Sequence, residues 1–542
     1  MVMLDRLIVN ANIYTFDEAQ PRASALAIQR DQIVAVGDDS LRALASRQTQ
    51  IDDLQGATVI CGLTDAHIHW ELTSRALREI DLFDLPSKAE AVARVAEAAR
   101  QAEAGAWLIG RGWSQSQWEG GAFPTAADLD AVTPHNPVFL RARSEHAAWV
   151  NSAALREAGI TPSTPDPADG VILRDESGAP TGILLEGAMS LVRRCLPVPN
   201  VAEIAAMMRE AQRLAWRCGL TGIHDYDQPR AFEAFQLLYE RGELGLRVVK
   251  NINDPFIEAA IRLGLRWGFG NHWLRLGGLK IFADGALGAR TALMFEPYEG
   301  EPENCGVVVT DRDAMLALVT MASRAGFPST IHAIGDRAVH EVLNVYEQVR
   351  ADERAQGLQP SDRRHRIEHV QLIQPEDVPR LAQLDVIASM QPIHATADYL
   401  MADKYWGVRS RYAYNARLQI DHGARVAFGS DSPVEPFEPL KGIHAAVTRC
   451  RPDGSPSREG WYPEARLTVE EAVRGYTQGA AYAAGMESRL GKLAAGYLAD
   501  LTALDRDIFE IDPHDLLKVR VVGTMTGGVW RYTDGIKPIA HE

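Results

Sequence analysis

The residues able to do chemistry in this chain gather at the ends of short apolar runs. Val59-Ile60 leads through Gly62-Leu63-Thr64-Asp65-Ala66 into His67-Ile68-His69. On a strand, residues two apart point the same way, so His67 and His69 would present two imidazoles to one point. The design recurs in Ser329-Thr330-Ile331-His332, Arg366-Ile367-Glu368-His369 and Val426-Ala427-Phe428-Gly429-Ser430-Asp431, and Leu276-Gly277-Gly278-Leu279-Lys280 ends in a lysine. Taken singly, each has an ordinary reading; Asp431 could be a helix N-cap before Pro433, for instance. Repeated after strand upon strand, they read as a metal site. Imidazole and carboxylate suit zinc, and equally iron, cobalt, nickel or manganese.

The elements that must position these residues follow from their intervals. Leu220-Thr221-Gly222-Ile223-His224-Asp225 is another apolar run with a polar end. From His224 the steps to Lys280, His332, His369 and Asp431 suit one strand-plus-helix unit each, some with loop insertions. His394, after Ile387-Ala388-Ser389-Met390-Gln391, divides the last step. A (β/α)8 barrel allots roughly 31 residues to each unit. Helical patterns over 315–326, 336–350, 376–384 and 469–485 alternate with the runs, which predicts a parallel sheet with its site at the strand C-termini. The expected fold is therefore α/β, a (β/α)8 TIM barrel over 63–485. If two units lie between His67 and His224, a surplus of roughly 95 residues remains. That surplus, about 85–200, is expected to form an inserted lid subdomain over the barrel mouth. Both termini are strand-like, at 4–9, 25–30 and 33–36 and again at 499–504, 519–522 and 529–532. They predict one composite β-sandwich domain from 1–62 and 486–542.

Bulk properties bound the function. A chain of 542 residues exceeds one ordinary core. Its composition, 46% hydrophobic and 24% charged, is globular. A net charge of −16 argues against nucleic acid or an anionic membrane as partner and leaves a small-molecule substrate. A homodimer is the assembly left open. The five cysteines are scattered with no Cys-x-x-Cys pair, which fits a reducing compartment and excludes a cysteine-built zinc site. The start of the chain interleaves Asp5 and Arg6 with apolar residues, unlike a signal peptide, and no long apolar span follows. The expected location is cytoplasmic.

At this point the motifs resemble those of the amidohydrolase superfamily of metal-dependent hydrolases, and within it the branch that includes N-substituted formamide deformylases. The likeness is carried by Thr64-Asp65-Ala66-His67-Ile68-His69, by Leu279-Lys280 through Asp284-Gly285-Ala286 to Arg290-Thr291, and by Ile331-His332-Ala333-Ile334-Gly335-Asp336. Arg366-Ile367-Glu368-His369, Ser389-Met390-Gln391-Pro392-Ile393-His394 and Gly429-Ser430-Asp431-Ser432-Pro433-Val434 complete it, with Gly491-Lys492-Leu493 as the return into the β domain. The resemblance implies a two-metal centre. His67, His69 and Asp431 would hold one metal and His332 and His369 the other, with Lys280 carrying CO2 as a bridging carbamate. Two Zn2+ per chain are implied, other first-row metals being open.

A free ammonium has no lone pair, so the carbamate also makes chemical sense of a lysine among ligands; the ordinary alternative is an ion pair with Asp284. The metals would make a hydroxide available near neutral pH, and Asp431 would shuttle its proton to the leaving nitrogen. His394 is expected to face a developing oxyanion, and His146, Arg111 and Trp113 of the inserted region to bind substrate. The family commonly reads Asp-Gly-His where this chain has Ser144-Glu145-His146. His224 and Asp225 are read as supporting groups. The expected reaction is hydrolysis of an amide-type C–N bond, in an N-acyl or N-formyl amine. Ester, lactone or carbamate hydrolysis uses the same chemistry. A deaminase would want a glutamate three residues after His332, where Gly335 stands. A non-catalytic sensor would have lost ligands.

Overall fold

Eight short apolar runs form one parallel sheet in the computed structural model, which describes residues 4–144 and 146–539. We label them β1 (Leu63–Ile68), β2 (Leu220–Asp225), β3 (Arg247–Asn253), β4 (Leu274–Phe282), β5 (Ser329–Ala333), β6 (Arg366–His369), β7 (Ile387–Met390) and β8 (Val426–Phe428). Their spatial order is their chain order, each paired in parallel with the next. The sheet closes where Asp431 N donates to His67 O (2.8 Å) and His69 N to Ser432 O (2.9 Å). That approach explains Gly429: a Cβ there would lie 2.4 Å from His67 N. The fold is a (β/α)8 barrel.

Packing sets the helices between the strands. Val201–Arg217 buries Ile204, Met208, Ala211 and Ala215, one stripe at helical spacing, and stops before Gly219 at φ 86°. Asp336–Ala355 buries Val339, Val342, Leu343, Tyr346 and Val349 in the same manner. One strand departs from the sequence expectation. β3 lies between the strands that carry His224 and Lys280, so that interval crosses two units, and only one connection joins β1 to β2. The reason is chemical: β3 ends in Lys250-Asn251-Ile252-Asn253, a polar tail with no histidine or carboxylate to announce it.

Strands from the two ends of the chain share two further sheets. Thr58–Cys61 pairs antiparallel with Leu501–Leu504, matching Val59 to Ala503 and Cys61 to Leu501. In the other sheet Lys537–Ile539 pairs with Gln50–Asp53. Ile13, Leu26, Ile28, Val59, Leu501 and Met525 are buried in a core continuous with that of the barrel.

A second compact unit runs from Arg75 to Asn200. It opens earlier than the surplus of residues places it, because Ile80–Asp81 already pairs with Gly110 and Arg111 as the edge of its own six-stranded sheet. Helix Lys88–Gln101 begins at Ser87, whose hydroxyl accepts from Glu90 N (3.2 Å). Among the described residues no helix is long and apolar enough to cross a membrane.

Candidate metal centre

The C-terminal ends of the barrel strands bring the chemical residues together. His67 lies on β1 with His69 just beyond it, Lys280 on β4, His332 on β5 and His369 at the end of β6. His394 sits in helix Pro392–Trp406 after β7, and Asp431 just past β8. Possible ligand atoms of His67, His69 and Asp431 lie within 4.8 Å of one another, and so do those of His369, His394 and Asp431. Asp431 Oδ1 is 3.4 Å from Nε2 of both His67 and His69, while its Oδ2 is 3.6 Å from His394 Nε2. The His332 ring stands 4.6 Å from that of His369, and Lys280 Nζ 4.4 Å from the ring of Phe282, which itself packs on His332.

Four of these imidazoles, all but that of His394, have one nitrogen committed elsewhere, which leaves the other for a cation. His67 Nδ1 meets Glu368 Oε2 at 2.6 Å, His69 Nδ1 meets Asp227 Oδ1 at 3.3 Å, and His369 Nδ1 meets Gln391 Oε1 at 2.7 Å. His332 is turned the other way, with Nε2 3.0 Å from the carbonyl of Gly285. A carbonyl can only accept, so Nε2 carries the hydrogen and Nδ1 keeps the lone pair. This donor set fits a pair of borderline divalent cations: four imidazoles with fixed tautomers and a carboxylate shared between two clusters.

Electrostatics point the same way. Burial would raise the Asp431 carboxyl, but His394, His67 and His69 hold it well below the ordinary range. Burial would lower His69, yet Asp431 and Asp227 on either side raise it to about 10. It therefore holds a proton where a cation would otherwise balance the two carboxylates. Burial, then the charge of Lys280, lowers His332 to about 3, and burial with His332 beside it puts His369 well below 6.5. Lys280 is 2% exposed, and burial lowers it to about 8 against the pull of Glu368 and Asp431. Among the described residues its ammonium meets the rings of Tyr226 and Phe282 and has no hydrogen bond or ion pair. Asp284, the ordinary ion-pair partner in the sequence reading, is occupied instead by the backbone N–H groups of Leu293, Ile334 and Gly335 at 2.8–3.0 Å.

Several supporting groups were not singled out by the sequence. Glu368, fully buried, accepts from Tyr226 Oη (2.8 Å), from Thr330 and from Arg366 Nη2 (3.3 Å), and pairs with the same guanidinium at 2.9 Å. Tyr226 stacks on His67 with centroids 3.9 Å apart. The available signal was Arg366 and Glu368 two apart on one short buried strand, a charged pair sharing one face. His224 accepts from Arg366 Nη1 (3.0 Å), and Asp225 pairs with Lys250 (2.9 Å) and caps Trp70 N (2.9 Å); neither joins the two clusters. Backbone strain gathers here too: His369 has φ 77°, Val370 44° and Asp431 60°. A β-branched residue in that region is an outlier which only its surroundings can enforce.

The inserted unit treats its three expected substrate residues differently. Trp113 corrects the sequence reading. Its side chain is 0% exposed, donates Nε1 to Leu140 O (2.9 Å) and packs on Trp118 and Trp149, so it is a core residue of that unit. Arg111 lies 3.8 Å from Glu79 and over the ring of Phe83. His146 is exposed and 3.0 Å from Glu186. Glu145 lies outside the described residues.

Comparison with known proteins agrees with this geometry. The model of the amidohydrolase family matches residues 50–532. "Protein LONG AFTER FAR-RED 3" of Arabidopsis thaliana is 33% identical over 98% of this chain and 92% of its own length. The N-substituted formamide deformylase of Arthrobacter pascens is 29% identical over 98% of each. The crystal structure of an uncharacterized metal-dependent hydrolase from Pyrococcus furiosus superposes with a TM-score of 0.76 at 28% identity, covering 93% of this chain and 100% of that one. With a barrel of this topology, a histidine–aspartate cluster at its strand ends and a family match over most of its length, the chain belongs to the amidohydrolase family of metal-dependent hydrolases.

Proposed function

We propose that the protein hydrolyses an amide-type C–N bond in an N-acyl or N-formyl amine. The observation that carries this reading is the position of Asp431, a carboxylate held ionised between two groups of imidazoles. His67, His69 and Asp431 would hold one Zn2+, and His332 and His369 the other, with Lys280 between them as a carbamate. When bound, the metals supply Lewis acidity and lower the pKa of water. Asp431, being ionised, takes the proton of the attacking water and hands it to the leaving nitrogen. His394, also 3.6 Å from Asp431, is raised by that carboxylate against the effect of burial, which suits it to donate to the developing oxyanion.

Lys280 is prepared for carbamylation by its surroundings. The neutral amine is the form that attacks CO2, and burial with no counter-ion brings that form within reach near neutral pH. The amide class is supported by the deformylase of Arthrobacter pascens, similar across the whole chain. A panel of N-formyl and N-acyl amines, assayed with and without chelator, tests the reading. Chelator-sensitive release of amine is the expected result. Turnover confined to esters, lactones or ring amines would overturn the amide class.

A further inference from the structure

We propose that a cavity among β1 to β4 of the barrel binds one small monovalent anion, of the chloride or bicarbonate class, between Arg275 and His224. The site is a cavity of about 30 Å³ lined by Thr64 of β1, by Gly222 and His224 of β2, by the first residues of β3 and β4, and by Ala484 and Met486. Water needs roughly 10–15 Å³ of such space per molecule, so there is room for one small ion and little else.

Two unsatisfied donors call for it. Arg275, half-buried, has no ion pair and no hydrogen bond among the described residues, and its Nε is buried without a partner. The neighbouring charges are already matched: Arg247 is bound by Asp500, Arg364 by Glu487 at 2.6 Å, and His272 lies 3.3 Å from Asp31. Arg275 thus keeps a buried N–H with no acceptor, and a buried donor is costly until something accepts from it. His224 is the second donor. It is 1% exposed and lines the same cavity. Its Nδ1 accepts from Arg366, which can only donate, so the hydrogen is on Nε2, and Nε2 has no partner among the described residues.

An anion accepting from Arg275 and His224 would also finish a chain of hydrogen bonds. His224 receives Arg366, Arg366 holds Glu368, and Glu368 orients His67. The occupant would therefore fix the ring of a candidate metal donor from a distance.

The test is thermal unfolding of the full-length protein, dialysed free of chloride, titrated with sodium chloride or bicarbonate against gluconate at constant ionic strength. A saturable rise in Tm of a few degrees is expected in the wild type and not in Arg275→Gln. Response to one salt and not the other identifies the ion. A wild type indifferent to both, or an Arg275→Gln variant with the full response, overturns the proposal. Should that variant fail to fold, bromide-soaked wild-type crystals decide. An anomalous peak beside Arg275 supports the site; no peak there, with a wild-type Tm unmoved by bicarbonate, refutes it.

Discussion

Asp431 is the residue on which the site converges, since His67, His69 and His394 all meet its two oxygens at 3.4–3.6 Å. Asp431→Asn keeps the shape and removes the base. We expect kcat to fall by about 10²–10⁴-fold, the usual worth of a placed proton-transfer group, with most of the metal retained. Loss of all metal with loss of activity would make Asp431 a ligand only. Lys280 poses the complementary case. Lys280→Ala should empty the centre, and short carboxylic acids should partly restore metal and activity by replacing the carbamate oxygens; no rescue by any acid would count against carbamylation. His67, His69, His369 and Asp431, which the structure gathers into its two clusters, were expected as ligands because each is a ligand type at the end of an apolar run. Glu368, Asp227, Tyr226 and Gln391 were not, because they act by touching those residues across the barrel and nothing in local spacing reports it. Trp113 misled for the opposite reason: an aromatic beside glycines serves a core or a binding surface equally well, and only packing decides.

At the scale of elements, the helix Asp336–Ala355 is tied to the bases of β5 and β6 by one buried carboxylate. Glu353 accepts from His365 Nε2 (2.9 Å), Arg350 (2.7 Å) and Ser323 (2.5 Å), and His365 Nδ1 accepts from Ser329 N (3.0 Å) at the start of β5. Burial would raise Glu353, but His365 first and then Ser323 and Arg350 bring it from 4.5 to about 2. A depressed carboxyl contributes stability that is present above pH 4.5 and lost as pH falls towards 2. Glu353→Gln should therefore cost about 2–3 kcal/mol at pH 7, and the gap from wild type should narrow below pH 4.5. Denaturant melts at pH 7 and pH 3 check this; an equal gap at both would show that the bond's shape, not its charge, matters. Most of these elements were legible from apolar runs alternating with helical stripes. β3 was not, since its polar end breaks the pattern, and neither was the start of the insertion, set by a two-residue strand too short to carry any signal.

For the whole molecule, the candidate donors are spread over the circumference of the barrel. They come from β1, β4, β5 and β6 and from the segment after β8. A bound metal pair would therefore cross-link strands far apart in sequence, including the seam where β8 meets β1. The centre holds an imidazole raised to about 10 between carboxylates, and a buried lysine with no ion pair among the described residues. Binding energy directed at the native state alone adds to stability in proportion to the logarithm of free metal over Kd. The metal-free protein should thus unfold several degrees below the loaded one. Because His69 must give up its proton to accept a cation, loading should release protons and tighten as pH rises towards 10. Elemental analysis should find two divalent metals per chain, and a chelator should abolish activity, restored by adding zinc. Calorimetric melts with and without chelator, beside metal counts on the same samples, settle the matter. One metal per chain at full activity, or a Tm unmoved by its removal, would leave the two-metal cross-link without support.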